Sequence, residues 1–429
     1  MENIKYIKRL DTNNKTNQYI DGQTIDFTLP KNKVDLTSFK IYYDVEIDPA
    51  IKYTNNSYLK RFMPRLAASI IDTITIYKDH EEIQTIRDYN VIANILNDAT
   101  KETDDIDSNR PDTLNVSYID ANNAPKMICD FNNGTTPTII NPLKYRFFIN
   151  NFLGFIGENN RGIIDCSKNI IKISITLAPK YITYRGLKNL TAGILTLETY
   201  PPDYHYHLSN VFANIDVYPD NTPVNNQLTF KHYHTIRGTK NNTKNTSLLY
   251  THKGKLNYLI GTFVVYGEND TGLQLSRCNE DTTTFGNIFL TSYNNVTDLG
   301  NNVVTTATVT SERIKKTGVE NHLDTSLYFK RAGSNIKSSQ YFLNGQAMTP
   351  SMDIPQIYNV AKDFFNNQMT RVKSLASFEN EFFVFPMIIN QKDPDYISNI
   401  EWICTADNRA NFDAYPVIFL CYDKNIILN

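Results

Sequence analysis

The alternation of apolar and polar positions predicts a protein built mainly of β-strands. Residues 39–47 and 171–177 carry an apolar or aromatic side chain at every second position. This period of two is typical of a strand with one buried face. Further strand-like runs occur at residues 70–77, 144–149, 193–200, 210–218, 227–236, 256–266, 382–389, 397–404 and 417–428. The last of these is so apolar that we expect it to be a central strand, and helical periodicity is confined to a few short segments.

Two stretches, residues 70–98 and 338–367, repeat one local plan. Each reads as a strand, a tight polar turn, a short second strand and an amphipathic helix. The tripeptide Tyr-Asn-Val occurs in both, at Tyr89 and Tyr358, an offset of 358 − 89 = 269 residues. The matching order of elements indicates two copies of one β-rich domain.

The turn of the second stretch is the sharpest local signal. Asn344 and Gly345 separate two short strand-like runs, and an Asn-Gly pair in that position favours a hairpin turn with two positive φ angles. We interpret both residues as a structural turn and not as part of a chemical site. Replacing Gly345 with valine should therefore lower stability without affecting any chemistry.

Length and proline content predict two domains. The 429 residues exceed the roughly 250 to 300 at which a single core stops growing. Prolines cluster between residues 201 and 223, which places a boundary near residues 218–228. We predict an N-terminal domain at 1–220 and a C-terminal domain at 221–429. The second contains an Asn-, Asp-, Thr- and Gly-rich stretch at about 267–310, which we interpret as a surface insertion.

Composition and charge fit a folded protein without a general affinity for polyanions. Hydrophobic residues make up 41% and charged residues 21%, with 27 tyrosines and 23 phenylalanines. The net charge of −2 gives no overall attraction to nucleic acid or anionic lipid. A few basic residues lie near the N-terminus, at Lys5, Lys8, Arg9 and Lys15. Nucleic-acid binding is therefore disfavoured as the main function.

The cysteines predict no disulfide framework and no zinc site. They are five in number, widely scattered and without a CxxC pair: Cys129, Cys166, Cys278, Cys404 and Cys421. We interpret them as reduced, buried thiols. The first ten residues lack the apolar core of a secretory signal, and no run reaches the 18 or so apolar residues of a spanning helix. These features favour an intracellular protein.

The motifs of common enzyme classes are absent from the sequence. It contains no GxSxG, no GxxxxGK[ST] and no GxGxxG after a strand. Residues 80–82 begin like a metalloprotease motif, but Gln84 stands where the second histidine would be. The acidic loop at residues 101–111 lacks the pattern of a calcium loop, and acids in such loops are usually solvated. We predict no catalytic residues and no cofactor.

Two histidine pairs are the candidates for a metal site. His205 and His207 alternate along one strand-like run, and His232 and His234 along another. Alternate residues of a strand share a face, so each pair could present two imidazoles to one ion. No carboxylate or cysteine lies at ligand spacing, which favours the other interpretation, that of half-exposed histidines at strand ends near the domain boundary.

Several of these segments together resemble double jelly-roll major capsid proteins, with those of virophages, Polinton-like viruses and adintoviruses the most similar. The stretch from Met63 to Tyr77, with its hairpin and the helix containing Tyr89, resembles the first jelly roll. Phe152-Leu153-Gly154-Phe155 and the strand at 170–178 are similar to the late part of that jelly roll. Residues 338–350 resemble the strand and Asn-Gly turn before the helix of the second jelly roll.

The resemblance implies an all-β fold with short helices, made of two tandem eight-stranded jelly-roll β-sandwiches. It implies a homotrimer whose six jelly rolls form a pseudo-hexagonal capsomer in the icosahedral shell of a double-stranded DNA virus. Partners would be neighbouring capsomers, penton and minor capsid proteins, and an internal membrane or the genome through the N-terminal segment. The protein would reside in the virion after assembly inside the host cell, in the cytoplasm or nucleus.

Two other functions stay open at this point. One is a virion spike, a fibre or a carbohydrate-binding β-sandwich, in which tyrosine-rich loops would stack on sugars. The other is a β-sandwich hydrolase, which is disfavoured because no nucleophile or pair of acids can be named. Trimers and capsomers would distinguish the capsid protein from both.

Overall fold

The structure, a computed structural model, contains two sets of antiparallel sheets that follow each other along the chain. It describes residues 4–46, 67–100, 118–119, 125–126, 145–160, 162–180, 187–190, 194–197, 205–224, 227–239, 245–264, 336–369, 375, 378, 382–406 and 415–428. The predicted insertion at 267–310 and the acidic loop at 101–111 lie outside these residues. None of the described helices is long and apolar enough to cross a membrane.

The first half contains fourteen strands and one α-helix among its described residues. A 3₁₀ helix at Ala67–Ile70 precedes β5, and helix α1 (Tyr89–Thr100) follows β6. The strands are β1 (Tyr6–Asp11), β2 (Gln18–Ile20), β3 (Thr24–Thr28), β4 (Lys33–Glu46), β5 (Ile71–Lys78), β6 (Glu81–Ile86), β7 (Tyr118–Ile119), β8 (Pro125–Lys126), β9 (Tyr145–Ile149), β10 (Ile163–Asp165), β11 (Ile171–Leu177), β12 (Leu187–Leu190), β13 (Ile194–Leu197) and β14 (His207–Tyr218).

The second half contains eight strands and one α-helix among its described residues. Helix α2 (Ile354–Phe364) follows the hairpin of β18 and β19. The strands are β15 (Gln227–Arg237), β16 (Asn245–Lys253), β17 (Leu256–Val264), β18 (Ile336–Leu343), β19 (Gln346–Ala347), β20 (Val384–Gln391), β21 (Ile397–Ala406) and β22 (Tyr415–Ile427).

The two halves share one strand order. The second half forms two four-stranded sheets, β15-β22-β17-β20 and β16-β21-β18-β19. The first half forms β3-β11-β5-β6 and a larger sheet β1-β14-β4-β10, in which β2 pairs with β14 and β9 pairs with β4. Eight strands in two packed sheets, with the first strand beside the last, make a jelly roll. Strand β22 lies between β15 and β17, which confirms the prediction of a central C-terminal strand.

The repeated hairpin and helix match residue for residue at one offset. The first strand ends at Lys78 or Leu343, an offset of 343 − 78 = 265 residues. The helices begin at Tyr89 and Ile354, and 354 − 89 is again 265. The shared tripeptide has an offset of 269, so it is displaced by four residues, about one helical turn. The order of strands, turn and helix therefore identified the repeat correctly, whereas the tripeptide does not mark equivalent positions.

Aromatic side chains fill the cores of both sandwiches. Phe27 and Phe39 meet edge to face in the first, with ring centroids 5.9 Å apart. In the second, Trp402 is fully buried and donates a hydrogen bond from Nε1 to Ser339 Oγ at 2.8 Å. Tyr341 donates from its hydroxyl to the carbonyl of Phe385 at 2.8 Å. The polar end of each large ring is therefore paired, as burial requires.

Candidate functional site

The contact between the two sandwiches is formed around strand β15, whose backbone and side chains meet the first half. The segment between β9 and β10 lies along it: Asn160 N donates to Thr229 O at 2.9 Å, and Lys231 N donates to Glu158 O at 3.1 Å. The Glu158 carboxylate accepts a hydrogen bond from the Tyr233 hydroxyl at 2.9 Å. This segment therefore extends the second sandwich's sheet with backbone from the first half.

The segment that joins β6 to α1 meets the last part of the same strand. Thr235 Oγ1 donates to the carbonyl of Arg87 at 2.6 Å. Arg237 Nη1 lies 3.4 Å from Asp88 Oδ1, and the Asp88 side chain is almost fully buried. A buried carboxylate is costly unless a positive charge lies beside it, so Arg237 compensates the charge of Asp88. The contact therefore continues to Asp88, the residue before α1.

Gln84 connects three segments of this contact. Its side-chain Nε2 donates to Lys231 O at 2.9 Å, and its Oε1 accepts from Phe155 N at 2.8 Å. Gly154, at φ +70°, lies so close that a Cβ there would be 2.5 Å from Gln84 Oε1. A glycine is required at this position both for the backbone angle and for the space. In the sequence Gln84 was notable only because it stands where a metalloprotease motif would have its second histidine. In the structure its buried amide connects three segments.

The Phe152-Leu153-Gly154-Phe155 motif spans the two sandwiches. Phe152 packs against Phe39 in the first core, with ring centroids 5.5 Å apart. Phe155 meets Phe230 of β15 edge to face at 5.3 Å. One short motif therefore fixes aromatic rings in both sandwiches and restricts how the two can move relative to each other.

The first histidine pair lies beside polar partners of the first sandwich. His205 Nδ1 is 2.6 Å from Asp21 Oδ1, and His207 is hydrogen-bonded to Gln18. His207 begins β14 and lies opposite Ile20 of β2. No third metal-ligating side chain joins either residue within the described part of the chain.

The second histidine pair belongs to β15 and is more buried. His232 packs against the ring of Tyr422 with centroids 5.0 Å apart, and burial lowers its pKa to about 3. His234 Nε2 lies 2.8 Å from the Tyr250 hydroxyl, and burial lowers its pKa as well. Among the described residues no cluster around this pair could hold a metal ion. We therefore assign no metal ion to the four histidines.

The predicted Asn-Gly turn joins β18 to β19. Asn344 has φ +51° and Gly345 has φ +76°, the two positive angles of a type I′ hairpin. The Asn344 side chain donates to the Tyr396 hydroxyl at 2.9 Å and accepts from Asn399 N at 2.8 Å. These contacts attach the turn to the start of β21, which is a structural role.

The described cysteines and a small core pocket are the remaining candidates for chemistry. Cys166, Cys404 and Cys421 are buried free thiols, and Cys129 and Cys278 lie outside the described residues. A small pocket in the first core is lined by isoleucine, leucine, valine and aromatic side chains: Ile25, Phe27, Ile41, Tyr43, Ile70, Ile71, Ile149, Ile175, Leu177, Leu208 and Val211. Such a lining offers packing and no acid, base or nucleophile.

No family model and no curated protein matches this sequence. Solved structures are similar over its whole length. PBCV-1 VP54, fitted into a reconstruction of the virophage Sputnik, is 10% identical with a TM-score of 0.52, and the match covers 100% of this chain and 96% of that one. A Sputnik virophage chain is 12% identical with a TM-score of 0.51, covering 99% and 87%. The Faustovirus major capsid protein is 8% identical with a TM-score of 0.50, covering 99% and 90%. This protein has the double jelly-roll fold found in those capsid proteins.

Proposed function

We propose that this protein is a structural major capsid protein that forms trimeric, pseudo-hexagonal capsomers in the icosahedral shell of a double-stranded DNA virus. The observation that carries the proposal is full-length similarity. Both sandwiches together match nearly the whole of a capsid chain, 100% of this chain against 96% of that one. The contact around Gln84 supports it physically, because a shell subunit needs its two sandwiches held in one arrangement.

The two structural units of the proposed subunit are an N-terminal jelly roll at 1–220 and a C-terminal jelly roll at 221–429. In support, every described strand before residue 220 pairs with strands of the same half, and the same holds after residue 221. The isolated bridge between Asn159 and Phe230 is part of the contact between the units.

The proposed role involves no catalysis, cofactor or metal. Burial raises the pKa of the Cys166 and Cys421 thiols to about 12, which keeps both protonated and unreactive at neutral pH. The function would therefore depend on surfaces that contact other proteins.

The proposed partners are further copies of the chain, neighbouring capsomers, and penton and minor capsid proteins. The N-terminal segment, which includes Lys5 ahead of β1, is the part of the chain that would meet an internal membrane or the genome. The protein would assemble inside the host cell and reside in the virion.

Native mass measurement and electron microscopy test the proposal together. We expect a stable species of three times 49.3 kDa with a hexagonal outline. A trimer of jelly-roll pairs has six similar units around one axis, and this outline is hard to obtain from another assembly. A strictly monomeric protein at all concentrations would overturn the proposal, as would defined glycan binding without any capsomer.

A further inference from the structure

Each sandwich contributes one edge strand to the contact within the chain. In the first sandwich the hairpin edge, β6, packs on β15 of the second. The counterpart of β6 is β19, and the counterpart of β15 is β1, since each is the edge strand beside the last strand of its half. The contact within the chain therefore leaves one edge of each kind, β19 and β1.

Equivalent residues on the two hairpin edges have opposite exposure. Met348 stands at the position of Ile83, since 348 − 83 gives the same offset of 265 as the hairpin and helix. Ile83 is 6% exposed, and Lys424 of the second sandwich donates to its carbonyl at 2.7 Å. Met348 is 46% exposed. The second sandwich covers the first edge, and no described part of the chain gives the same cover to the second.

The two edge strands differ in the same way. On β15, Tyr233 is fully buried beneath the segment that carries Glu158. On β1, Ile7 is 68% exposed and its neighbour Tyr6 is about half exposed. An apolar strand edge left in this state favours association with another chain.

A row of aromatic rings continues from β1 across the outer face of the same sheet. Arg9 lies over the Phe212 ring at 4.1 Å, and Phe212 stacks on Tyr42 with centroids 4.9 Å apart. Tyr42 in turn meets Phe148 at 5.7 Å. All three rings are half-buried. We call Ile7, Arg9, Phe212, Tyr42 and Phe148 the β1 face. Aromatic and arginine side chains in such a group are typical of protein interfaces.

The charged residues of the internal contact also have counterparts on the two free edges. In the internal contact Asp88 of the hairpin side pairs with Arg237 of β15. Asp353 stands at the position of Asp88, since 353 − 88 is again 265, and it precedes α2 in the same way. The β1 strand carries Arg9 on the same face as Ile7, where it also pairs with Asp11 at 3.1 Å. The free hairpin edge therefore offers an acid and the free edge strand offers a base, as in the contact within the chain.

We propose that the β1 face of one copy receives the hairpin edge at Met348 of a second copy, so that copies join head to tail through a repeat of the internal contact. This rests on the proposed function, because it names the surfaces through which the trimer forms. A head-to-tail contact between different surfaces generates either a closed ring or an open filament. Three copies with two sandwiches each give a ring of six similar contacts.

Single substitutions at the two surfaces test the assignment. Ile7→Lys and Met348→Lys each place a charge in the proposed contact, and both side chains are exposed in the single chain. We expect each variant to lose the trimer in native mass measurement, with association at least about tenfold weaker than in the wild type. Ile388→Lys is the matched control, because Ile388 is 59% exposed but lies on β20, away from both surfaces in the sheet order. It should remain trimeric with the wild-type unfolding temperature, whereas the two interface variants should stay folded but unfold at a lower temperature, because they lose the stabilisation that association gives.

Mixing the two variants tests the direction of the contact. The Ile7→Lys chain retains an intact hairpin edge, and the Met348→Lys chain retains an intact β1 face. A one-to-one mixture should therefore form heterodimers and no larger ring. If the wild type is trimeric while both variants remain trimeric, or while the mixture forms no heterodimer, this interface is wrong and the capsid proposal stands. If the wild type itself never forms trimers, both proposals are overturned.

Discussion

The two hairpin–helix units, β5–β6–α1 and β18–β19–α2, have identical spacing and opposite surroundings. In the first unit Ile83 and Gln84 are buried beside the second sandwich, whereas Met348 in the second unit is exposed. Helix α1 is buried continuously from Tyr89 to Ile95, but α2 buries only three residues, Ile354, Ile357 and Ala361. The order and spacing of the elements are the same in both, so the neighbours of each unit explain the difference in the burial of its side chains.

The aspartates at the start of the two helices show this difference in one residue type. Asp353 accepts from Gln356 N at 3.0 Å and forms a full capping box on the exposed helix α2. Asp88, at the same position before α1, lies beside Arg237 of the second sandwich. The Asp353 side chain caps its own helix, whereas Asp88 offers its helix the backbone carbonyl, which accepts from Val91 N at 3.0 Å, and its side chain contacts the other domain. The same acid therefore serves a local role in one unit and a role between domains in the other.

The largest expected effect comes from truncating the equivalent apolar residues. Ile83→Ala should lower the free energy of unfolding by about 3 kcal/mol, because it leaves a cavity beneath the second sandwich. Met348→Ala should lower it by less than about 0.5 kcal/mol, because its side chain is largely in solvent. Denaturant unfolding of both variants measures the difference.

Both substitutions should be measured in a chain that also carries Ile7→Lys. This chain should not form trimers, so association does not add to the apparent stability. Equal losses at the two positions would mean that the chain covers both hairpin edges alike. That outcome would remove the asymmetry on which the comparison depends.

A second, smaller effect should appear in acid at the internal contact. Burial lowers the pKa of His232 to about 3, whereas a histidine in the unfolded chain titrates near 6.5. The unfolded chain therefore binds a proton first, and the free energy of unfolding falls as the pH drops between those two values. We expect a loss of about 1 kcal/mol per pH unit between pH 6 and 4. Chemical denaturation at several pH values measures this slope.

The matched variants are His232→Gln and His80→Gly. The first removes the buried imidazole from β15 and should reduce the slope, with a remainder from His234, whose pKa burial also lowers. The second removes an imidazole outside this contact and is the control. An undiminished slope in His232→Gln would assign the acid sensitivity to other groups.

The strands that could be predicted from the sequence are those in which the apolar residues are the buried ones. Strand β11 alternates buried and half-buried residues without exception, and the pattern that predicted it is equally regular. Strand β16 was missed because its polarity does not follow its burial: Thr246 and His252 are buried beside Leu248, whereas Leu249 is 67% exposed. Pairing with β21 holds it in place. Cross-strand neighbours can override a local pattern in this way.

The contact between the sandwiches was only partly visible in the sequence. Its aromatic motif at residues 152–155 was noticed through the family resemblance, but no local signal tied Gln84 to Lys231, 147 positions away along the chain. Local periodicity reports which face of a strand is buried and not what buries it. A partner 147 positions away leaves no periodic trace in either segment. The internal repeat is the one long-range signal that the sequence did contain.

The smallest expected effect is at the two hairpin turns, which have nearly the same backbone and different residues. Asp79 and His80 have φ +49° and +77°, close to the +51° and +76° of Asn344 and Gly345. An L side chain in the left-handed region costs about 1 kcal/mol, and glycine avoids this cost. His80→Gly should therefore raise the free energy of unfolding by about 1 kcal/mol, and Gly345→His should lower it by a similar amount. No atom lies within 4 Å of a Cβ built on Gly345, so the substitution there tests the backbone angle without a steric clash.

Denaturant unfolding of both single variants and of the double variant measures these changes in the free energy of unfolding. If the turns are equivalent, the double exchange should leave stability almost unchanged, whereas shifts of the same sign in the two single variants would show that the turns are not equivalent.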